Sequence, residues 1–293
     1  MINNSSDICL PISNFLKEKK LHVLLCYSGS VATLKIPEIV TKIISLGPVE
    51  IRLIGSSKAA NHFLKRSKKY NPHYYEKFMK LGGYDLIIEE SDEWSWNQIG
   101  DPVIHIELRK WADLILIAPA SADLIAKTAQ GISDSLLLSV LRAWDFTQVD
   151  FVKVKPNKPC ILCPAMNSLM WVHPSTQESL EKLKKWGWTV VEPTTKKLAC
   201  NDTGKGALEE VNKIVQLVRG SLETRIEMLT SNDDRDTQSN VVDEIFMKKR
   251  DQRKWIFVNN YDKDSVYLMV ITATALLGLT AGVVIGVKMK SRI

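Results

Sequence analysis

Three side chains suited to proton transfer or carboxylate binding stand close to short apolar runs of the sequence. His105 lies in PVIHIELRKW, Asn167 ends the run PAMN, and Cys200 lies in the glycine-bearing stretch LACNDTGKG. An imidazole can move protons near neutral pH, an amide can anchor a carboxylate, and a thiol can act as an acid. A single helical histidine and a single cysteine are more often surface or core residues. On spacing alone, that structural role is the favoured interpretation of each.

Small turns that contain hydroxyls and glycines follow three of the apolar runs. Residues 28–31 follow LHVLLCY, residues 55–58 follow VEIRLIG, and residues 119–122 follow DLILIAPA. The first turn of a helix offers backbone N–H groups and a positive dipole end to a phosphate. Serine at a helix start is also an ordinary cap, so each turn alone is a weak signal. Three such turns in one sheet predict a bound phosphate ester, and the absence of GxGxxG and GxxxxGK[ST] disfavours a standard dinucleotide or P-loop site.

The cysteine pattern excludes a disulfide-rich fold. Five cysteines are irregularly spaced over 293 residues, which indicates a reducing compartment. Cys160 and Cys163 form one CxxC inside a strand-like run, and without a second pair a zinc or redox role is disfavoured. The histidines stand apart from clustered acids or cysteines. We therefore expect no metal.

Strand-like and helix-like segments alternate from residue 21 to residue 219, the predicted globular domain. Alternation of this kind requires crossover connections and produces a parallel sheet with helices on both faces. The sequence thus predicts an α/β fold with a Rossmann-like, doubly wound, three-layer sandwich, in which ligands bind at the carboxyl ends of the strands. The six predicted strands are LHVLLCY, VEIRLIG, DLIIE, DLILIAPA, PCILCPAM and WTVVEP.

The two ends of the chain differ from this domain. Residues 1–20 are polar and lack the apolar centre of a signal peptide, and residues 220–264 form a charged linker or, alternatively, contain a short solvated helix around 241–253. Residues 266–287 carry no charge and are flanked by charged residues, which predicts a C-terminal transmembrane helix over 265–288 rather than a buried core helix. Gly278, Gly282 and Gly286 share one face of that helix, a pattern that either supports self-association or reflects the frequency of glycine in membrane helices.

Composition narrows the class of protein further. The chain is 45% hydrophobic and 25% charged, which excludes a disordered protein, a collagen-like fibre and a multi-span membrane protein. Its formal net charge is +6, and the basic residues are scattered among acids. Nucleic-acid binding needs a focused basic stripe, so no nucleic-acid partner is expected.

Four longer segments then carry a family resemblance. HIELRKWADLILIAPASADLIAK, GISDSLLLSVLRAWDF, PAMNSLMW and LACNDTGKGAL resemble, in this order, the coenzyme A-pathway members of the flavin-dependent cysteine decarboxylase family. The resemblance covers residues 21–219. It implies a flavoprotein sandwich that binds FMN between the protomers of a homotrimer and decarboxylates 4'-phosphopantothenoylcysteine to 4'-phosphopantetheine. In that chemistry the flavin first oxidises the thiol-bearing carbon, and the resulting C=S group accepts the electrons released with CO2.

The resemblance also implies roles for individual residues. His105 and Cys200 would be catalytic, Cys200 as the proton donor on a clamp loop, while Asn167 would hold the substrate carboxylate. Three further residues would line the substrate site: Lys197, Ala199 and Leu208. The FMN-binding residues would be Gly29, Ser30, Val31, Ser57, Lys58, Ser121, Ala122, Asp123, Leu124 and Met166.

The sequence departs from the family pattern at a few positions. Asp123 and Leu124 replace the usual Asn-Thr, which puts flavin affinity in question, and Asn201 stands in a glycine place that it can occupy because Asn tolerates positive φ. Leu208 replaces a usual Met, and residues 146–158 are longer than the family norm. The alternatives are a non-catalytic regulatory subunit that inhibits a protein phosphatase, a heterotrimer component that contributes part of the active site, and a relative that acts on peptidyl cysteine or prenylates a flavin. The catalytic domain is expected to be cytoplasmic and tail-anchored to an intracellular membrane, either the mitochondrial outer membrane or the endoplasmic reticulum.

Overall fold

A computed structural model describes residues 20–148, 154–197 and 203–231 of the chain. The chain divides into two units, residues 1–243 and 244–293, and every described residue belongs to the first. Three predicted segments lie wholly or mostly outside the described residues. They are the polar segment 1–20 except its last residue, the later part of the linker 220–264, and the membrane helix 265–288. Within the described ranges, no helix is both long enough and apolar enough to cross a bilayer.

A six-stranded parallel sheet forms the centre of this unit, with the strand order β3-β2-β1-β4-β7-β8. This is the doubly wound topology that the alternating sequence predicts, and all six predicted strands are present. Two short antiparallel hairpins, β5–β6 and β9–β10, were not predicted. The strands are β1 (Leu21–Tyr27), β2 (Val49–Gly55), β3 (Ile87–Ile88), β4 (Leu114–Ala120), β5 (Phe146–Gln148), β6 (Val154–Pro156), β7 (Cys160–Pro164), β8 (Thr189–Val190), β9 (Thr194–Lys197) and β10 (Thr203–Ala207).

Helices connect the strands and cover both faces of the sheet. Two 3-10 helices, Val31–Lys35 and Gly83–Leu86, supplement them. The α-helices of the described residues are α1 (Ile36–Ile44), α2 (Lys58–Tyr70), α3 (Pro72–Lys80), α4 (Glu90–Glu93), α5 (Ile104–Trp111), α6 (Ala122–Gln130), α7 (Leu136–Arg142), α8 (Ser168–Val172), α9 (Pro174–Lys185) and α10 (Val211–Ser231).

The core lies where the central strands meet the helices. Every residue of β1 and of β4 is buried, because strands of a parallel sheet are covered on both faces. On one face, Leu25 and the paired Leu116 pack in a cluster with Ile39 of α1 and Ile214 of α10. In α1 the buried residues follow a helical period, which explains why this segment forms a helix against the sheet.

The last helix is longer than its sequence suggested. The sequence predicts a closing helix that ends near Gly220, whereas α10 continues to Ser231. Two contacts hold the additional turns against the domain: Leu222 is buried in the core cluster, and the guanidinium Nε of Arg225 lies 3.7 Å from Oδ1 of Asp113. Tertiary packing therefore outweighs the low helix propensity of glycine at this position.

Asp113 forms a buried polar anchor at the amino end of the sheet. Its Oδ2 accepts the backbone N–H of His22 at 3.0 Å, and its side chain, like that of Arg225, is almost entirely buried. The His22 ring packs on Trp111 with ring centroids 4.5 Å apart. One carboxylate thus joins the starts of β1 and β4 to α10.

Replacement of this carboxylate should destabilise the domain. In Asp113→Ala the buried His22 N–H loses its acceptor and the buried Arg225 guanidinium loses the carboxylate 3.7 Å away, so we expect the free energy of unfolding to fall by about 3–5 kcal/mol. Urea denaturation followed by circular dichroism measures the change. Arg219→Ala is the matched control, because it removes an exposed ion pair with Glu223 on the same helix and should cost less than about 1 kcal/mol. Equal losses in the two variants would contradict the anchoring role.

Candidate functional site

A cavity of about 680 Å³ opens at the carboxyl edge of the sheet. Its walls come from the turns after β1, β4 and β7 and from strand β10 of the second hairpin, the location that the doubly wound topology favours for ligands. Eight of the residues predicted to bind cofactor or substrate line this cavity: Gly29, Ser30, Val31, Ser121, Ala122, Met166, Asn167 and Leu208.

The buried Ser28 fixes the two turns that form the cavity floor. Its hydroxyl donates to the Pro119 carbonyl at 2.8 Å and accepts the Ser121 N–H at 2.8 Å. Its own carbonyl accepts the Thr33 hydroxyl at 2.8 Å. Since these bonds join the end of β1 to the end of β4, Ser28 positions the two turns, at residues 28–31 and 119–122, that were predicted to bind a phosphate ester. Sequence reasoning passed over Ser28 as a binding-site support, although its place between a strand and a glycine was visible.

Serine caps three helix starts at this edge of the sheet. Ser30 accepts the Ala32 N–H, Ser57 accepts the Ala60 N–H, and Ser121 accepts the Leu124 N–H. Ser30 and Ser121 line the cavity, and their helix starts suit an anionic ligand. Ser57 is exposed and is not among the lining residues. Lys58 begins α2, and its side chain lies outside what the structure describes.

Asn167 presents a neutral amide to the cavity. It caps the short helix α8, and its Oδ1 accepts the Leu169 N–H at 2.8 Å. With Oδ1 held by the backbone, the group suited to a ligand carboxylate is the Nδ2 amide, which donates hydrogen bonds without carrying a charge.

The hairpin β9–β10 closes one side of the cavity. The Gly206 carbonyl accepts the Met166 N–H at 2.9 Å, and the Gly206 φ is +155°. A Cβ on Gly206 would collide with the Met166 carbonyl oxygen, so only glycine allows the two chains to approach this closely. Lys197 is the last residue of β9, and its side chain is outside the description. Ala199 and Cys200, predicted on the connecting loop, lie outside the described residues.

Two lysines that sequence reasoning missed also line the cavity. Lys35 ends the turn after β1, and Lys196 lies in β9 beside the predicted Lys197. The Lys196 ammonium bonds to Glu210 and holds the pKa of that carboxyl below its usual value. Neighbouring residues of a strand point to opposite faces, so only one of Lys196 and Lys197 can face the cavity. The sequence alone does not say which of the two it is.

His105 lies on α5, outside the lining of this cavity. Its backbone N–H donates to Oε2 of Glu93 at 3.1 Å, and its ring Nδ1 bonds to Oε1 of the same carboxylate. The side chain of His105 is 25% exposed and that of Glu93 is 13% exposed. The structure therefore brings two of the three predicted phosphate-binding turns and Asn167 together in one cavity, and the predicted His105 is not among the residues that line it.

Of the described residues that depart from the family pattern, Leu208 lines the cavity, whereas Asp123 and Leu124 do not. The Asp123 side chain is 74% exposed, and its Oδ2 lies 3.6 Å from the Lys127 ammonium. Leu124 is buried in the protein interior. Both were predicted to bind the cofactor and directly follow the lining residue Ala122, but neither of their side chains faces the cavity.

The CxxC cysteines are packed inside the sheet. Cys160 and Cys163 are buried free thiols of β7, and burial raises the pKa of each thiol. Thiols of this kind stay protonated and unreactive near neutral pH. Among the described residues, no group of three or more histidine, cysteine or acidic side chains could hold a metal ion.

The sequence is similar to those of known decarboxylases. Phosphopantothenoylcysteine decarboxylase of Mus musculus is 39% identical over 207 residues, which cover 70% of this chain and 89% of that protein. Phosphopantothenoylcysteine decarboxylase of Arabidopsis thaliana is 40% identical over 202 residues, which cover 69% of this chain and 85% of that protein.

Solved structures resemble the fold as well. A PPC decarboxylase mutant complexed with pantothenoylaminoethenethiol matches with a TM-score of 0.57 and 38% identity, covering 70% of this chain and 100% of that one. The FMN binding protein AtHal3 matches with a TM-score of 0.55 and 38% identity, covering 70% of this chain and 98% of that one. The model of the Flavoprotein family matches residues 12–223, well over half of the sequence. The chain belongs to the Flavoprotein family.

Proposed function

We propose that this protein is an FMN-dependent decarboxylase that converts 4'-phosphopantothenoylcysteine to 4'-phosphopantetheine. One observation carries the proposal: Asn167 shares a cavity with two serine-capped helix starts, so a carboxylate anchor lies beside a phosphate-type cofactor cradle. Relatives with this reaction in their names match the chain over most of their own length. The sequence segments from HIELRKWAD to LACNDTGKG agree with the same reaction.

The cavity residues fit FMN. The small residues Gly29 and Ala122 leave room at the floor, and helix starts capped by Ser30 and Ser121 offer backbone donors where a phosphate ester needs them. Lys35 adds a cation to the same wall. When bound, FMN supplies two-electron chemistry at the thiol-bearing carbon of the substrate and takes part without net oxidation.

The chain's own residues orient the substrate and manage its protons. The Asn167 amide binds the carboxylate without a positive charge that would over-stabilise the ground state and slow its loss as CO2. The hairpin β9–β10, joined to Met166 by the Gly206 carbonyl, forms part of the cavity wall. Cys200, on the loop of that hairpin, is assigned the proton donor through the family resemblance, and His105 is assigned to proton transfer.

We also propose a homotrimer whose protomers share each active site. His105 is outside the cavity lining of its own protomer, so the site needs a histidine from a neighbour. Exposed apolar side chains are present on the two surfaces that would meet between protomers. Leu169 and Val172 lie near the cavity, and Trp94 and Ile99 lie in the segment before His105. A contact between two different patches of the same chain is heterologous and can close into a ring.

The apolar segment 266–287 suggests a membrane attachment. Its length and flanking charges support a tail anchor that leaves the catalytic domain in the cytoplasm, on the mitochondrial outer membrane or the endoplasmic reticulum. The proposal rests on the sequence of this segment.

Cell fractionation checks the anchor. The full chain should sediment with membranes and resist carbonate extraction, because a helix of this length is held by its hydrophobic burial. A variant that ends at Ser265 should move to the soluble fraction. Identical behaviour of the two proteins would contradict the anchor.

The purified full-length protein should turn over the proposed substrate. Flavin-loaded protein incubated with 4'-phosphopantothenoylcysteine should release CO2 and form 4'-phosphopantetheine. Mass spectrometry of the reaction mixture measures the product. Flavin-loaded trimer that leaves the substrate intact would contradict the proposed reaction, and the regulatory-subunit alternative would then gain support.

Asn167→Asp separates the amide's chemistry from its capping role. Aspartate is also a good N-cap and should keep the Leu169 N–H bonded, but its charge opposes the substrate carboxylate. We expect kcat/KM to fall about 100-fold or more while bound flavin is retained. Asn167→Ala, which removes both cap and amide, is the comparison. An Asp variant with normal turnover beside an inactive Ala variant would show that Asn167 serves α8 alone.

A further inference from the structure

Glu93 holds both the main chain and the ring of His105. One carboxylate oxygen accepts the backbone N–H at 3.1 Å, and the other bonds to ring Nδ1. A contact at two points fixes the side-chain rotamer together with the start of helix α5. The carboxylate is itself mostly buried, which strengthens its hydrogen bonds relative to an exposed one.

The sequence around α5 explains why the carboxylate comes from elsewhere. Val103 occupies the N-cap position of α5 and has no side chain that could accept a hydrogen bond. Glu93 satisfies a backbone donor of this helix start in its place, and its negative charge is favourable at the positive end of the helix dipole.

The short helix α4 supplies two such carboxylates to two helices. Glu90, three residues before Glu93, accepts the Leu136 N–H at the start of α7 through both oxygens, at 2.8 and 3.0 Å. A capping box between Glu89 and Asp92 fixes the helix that carries them. Glu90 makes the same kind of cap as Glu93 but is not bonded to the histidine, which makes it a natural control.

We infer that Glu93 is a positioning residue for catalysis, which directs His105 by accepting its Nδ1–H and leaves Nε2 as the nitrogen that exchanges a proton with the substrate. This inference rests on the proposed decarboxylase function. The carboxylate selects the Nδ1–H tautomer, since a deprotonated Nδ1 would face a negative charge. When Nε2 accepts a proton from the substrate, the imidazolium that forms is stabilised by the adjacent carboxylate, and return of the proton restores the neutral ring.

Glu93→Gln and Glu90→Gln form the test pair, measured in the full-length protein loaded with FMN. Glutamine preserves size and one acceptor but removes the charge. We expect Glu93→Gln to lower kcat at least about 10-fold with KM and bound flavin nearly unchanged, whereas Glu90→Gln keeps kcat. Equal losses of kcat in both variants, or an unchanged kcat in Glu93→Gln, would overturn the inference.

A spectroscopic readout keeps the inference testable apart from activity. The chain has five histidines, so selective 15N-histidine labelling with a His105→Asn reference spectrum identifies the His105 signals. Wild-type protein should show the Nδ1–H tautomer, and Glu93→Gln should show a mixture of tautomers at the same thermal midpoint. An Nε2–H tautomer in the wild type would refute the role of Glu93 even where turnover is normal. Absence of turnover in the wild type with the Nδ1–H tautomer present would count against the proposed function and leave the Glu93 geometry intact.

Discussion

The buried hydroxyl of Ser28 is the interaction on which the candidate site depends. The parallel sheet brings the ends of β1 and β4 side by side, but a shared edge alone does not fix the turns that follow them. Ser28 does so by donating to the Pro119 carbonyl and accepting the Ser121 N–H, both at 2.8 Å. Because the hydroxyl is fully buried, neither bond competes with water. The turn at Ser30 and the cap at Ser121 are thereby held as one surface.

The polar parts of the structure are divided between the two edges of the sheet. At the amino edge, Asp113 joins the backbone of His22 to Arg225 and keeps the long helix α10 on the domain. At the carboxyl edge, small and neutral side chains form most of the cavity lining, together with Lys35 and Lys196. This separation places the charges that stabilise the fold away from the candidate cavity. A substitution that weakens the anchor can therefore alter stability without altering the chemistry of the cavity.

Much of the fold was predictable because its signals are local. Apolar runs such as LHVLLCY and DLILIAPA and the turns after them identify the strands and the edge of the sheet where the cavity lies. The continuation of α10 through Gly220 was not predictable, since tertiary contacts at Leu222 and Arg225 decide it. In the candidate site, too, residues with local sequence signals were predictable and residues that depend on tertiary contacts were not. Ser30, Ser121 and Asn167 could be found from motifs, whereas Lys196 depends on which face of β9 meets the cavity, and Glu93 depends on a contact across twelve residues.

The acid at position 123 shows how the family pattern can change without loss of the cradle. An acid beside a flavin would oppose its electron-rich reduced form, but here the carboxylate is 74% exposed and pairs with Lys127 one turn along α6. Asp123 also stands in the first turn of that helix, where the positive dipole end favours a negative charge. The Lys127 ammonium also lies 3.0 Å from Asp134, so one cation lies between two carboxylates on this surface. The cavity keeps the neutral residues Ser121 and Ala122 in its lining, because the Asp123 side chain faces solvent rather than the cavity.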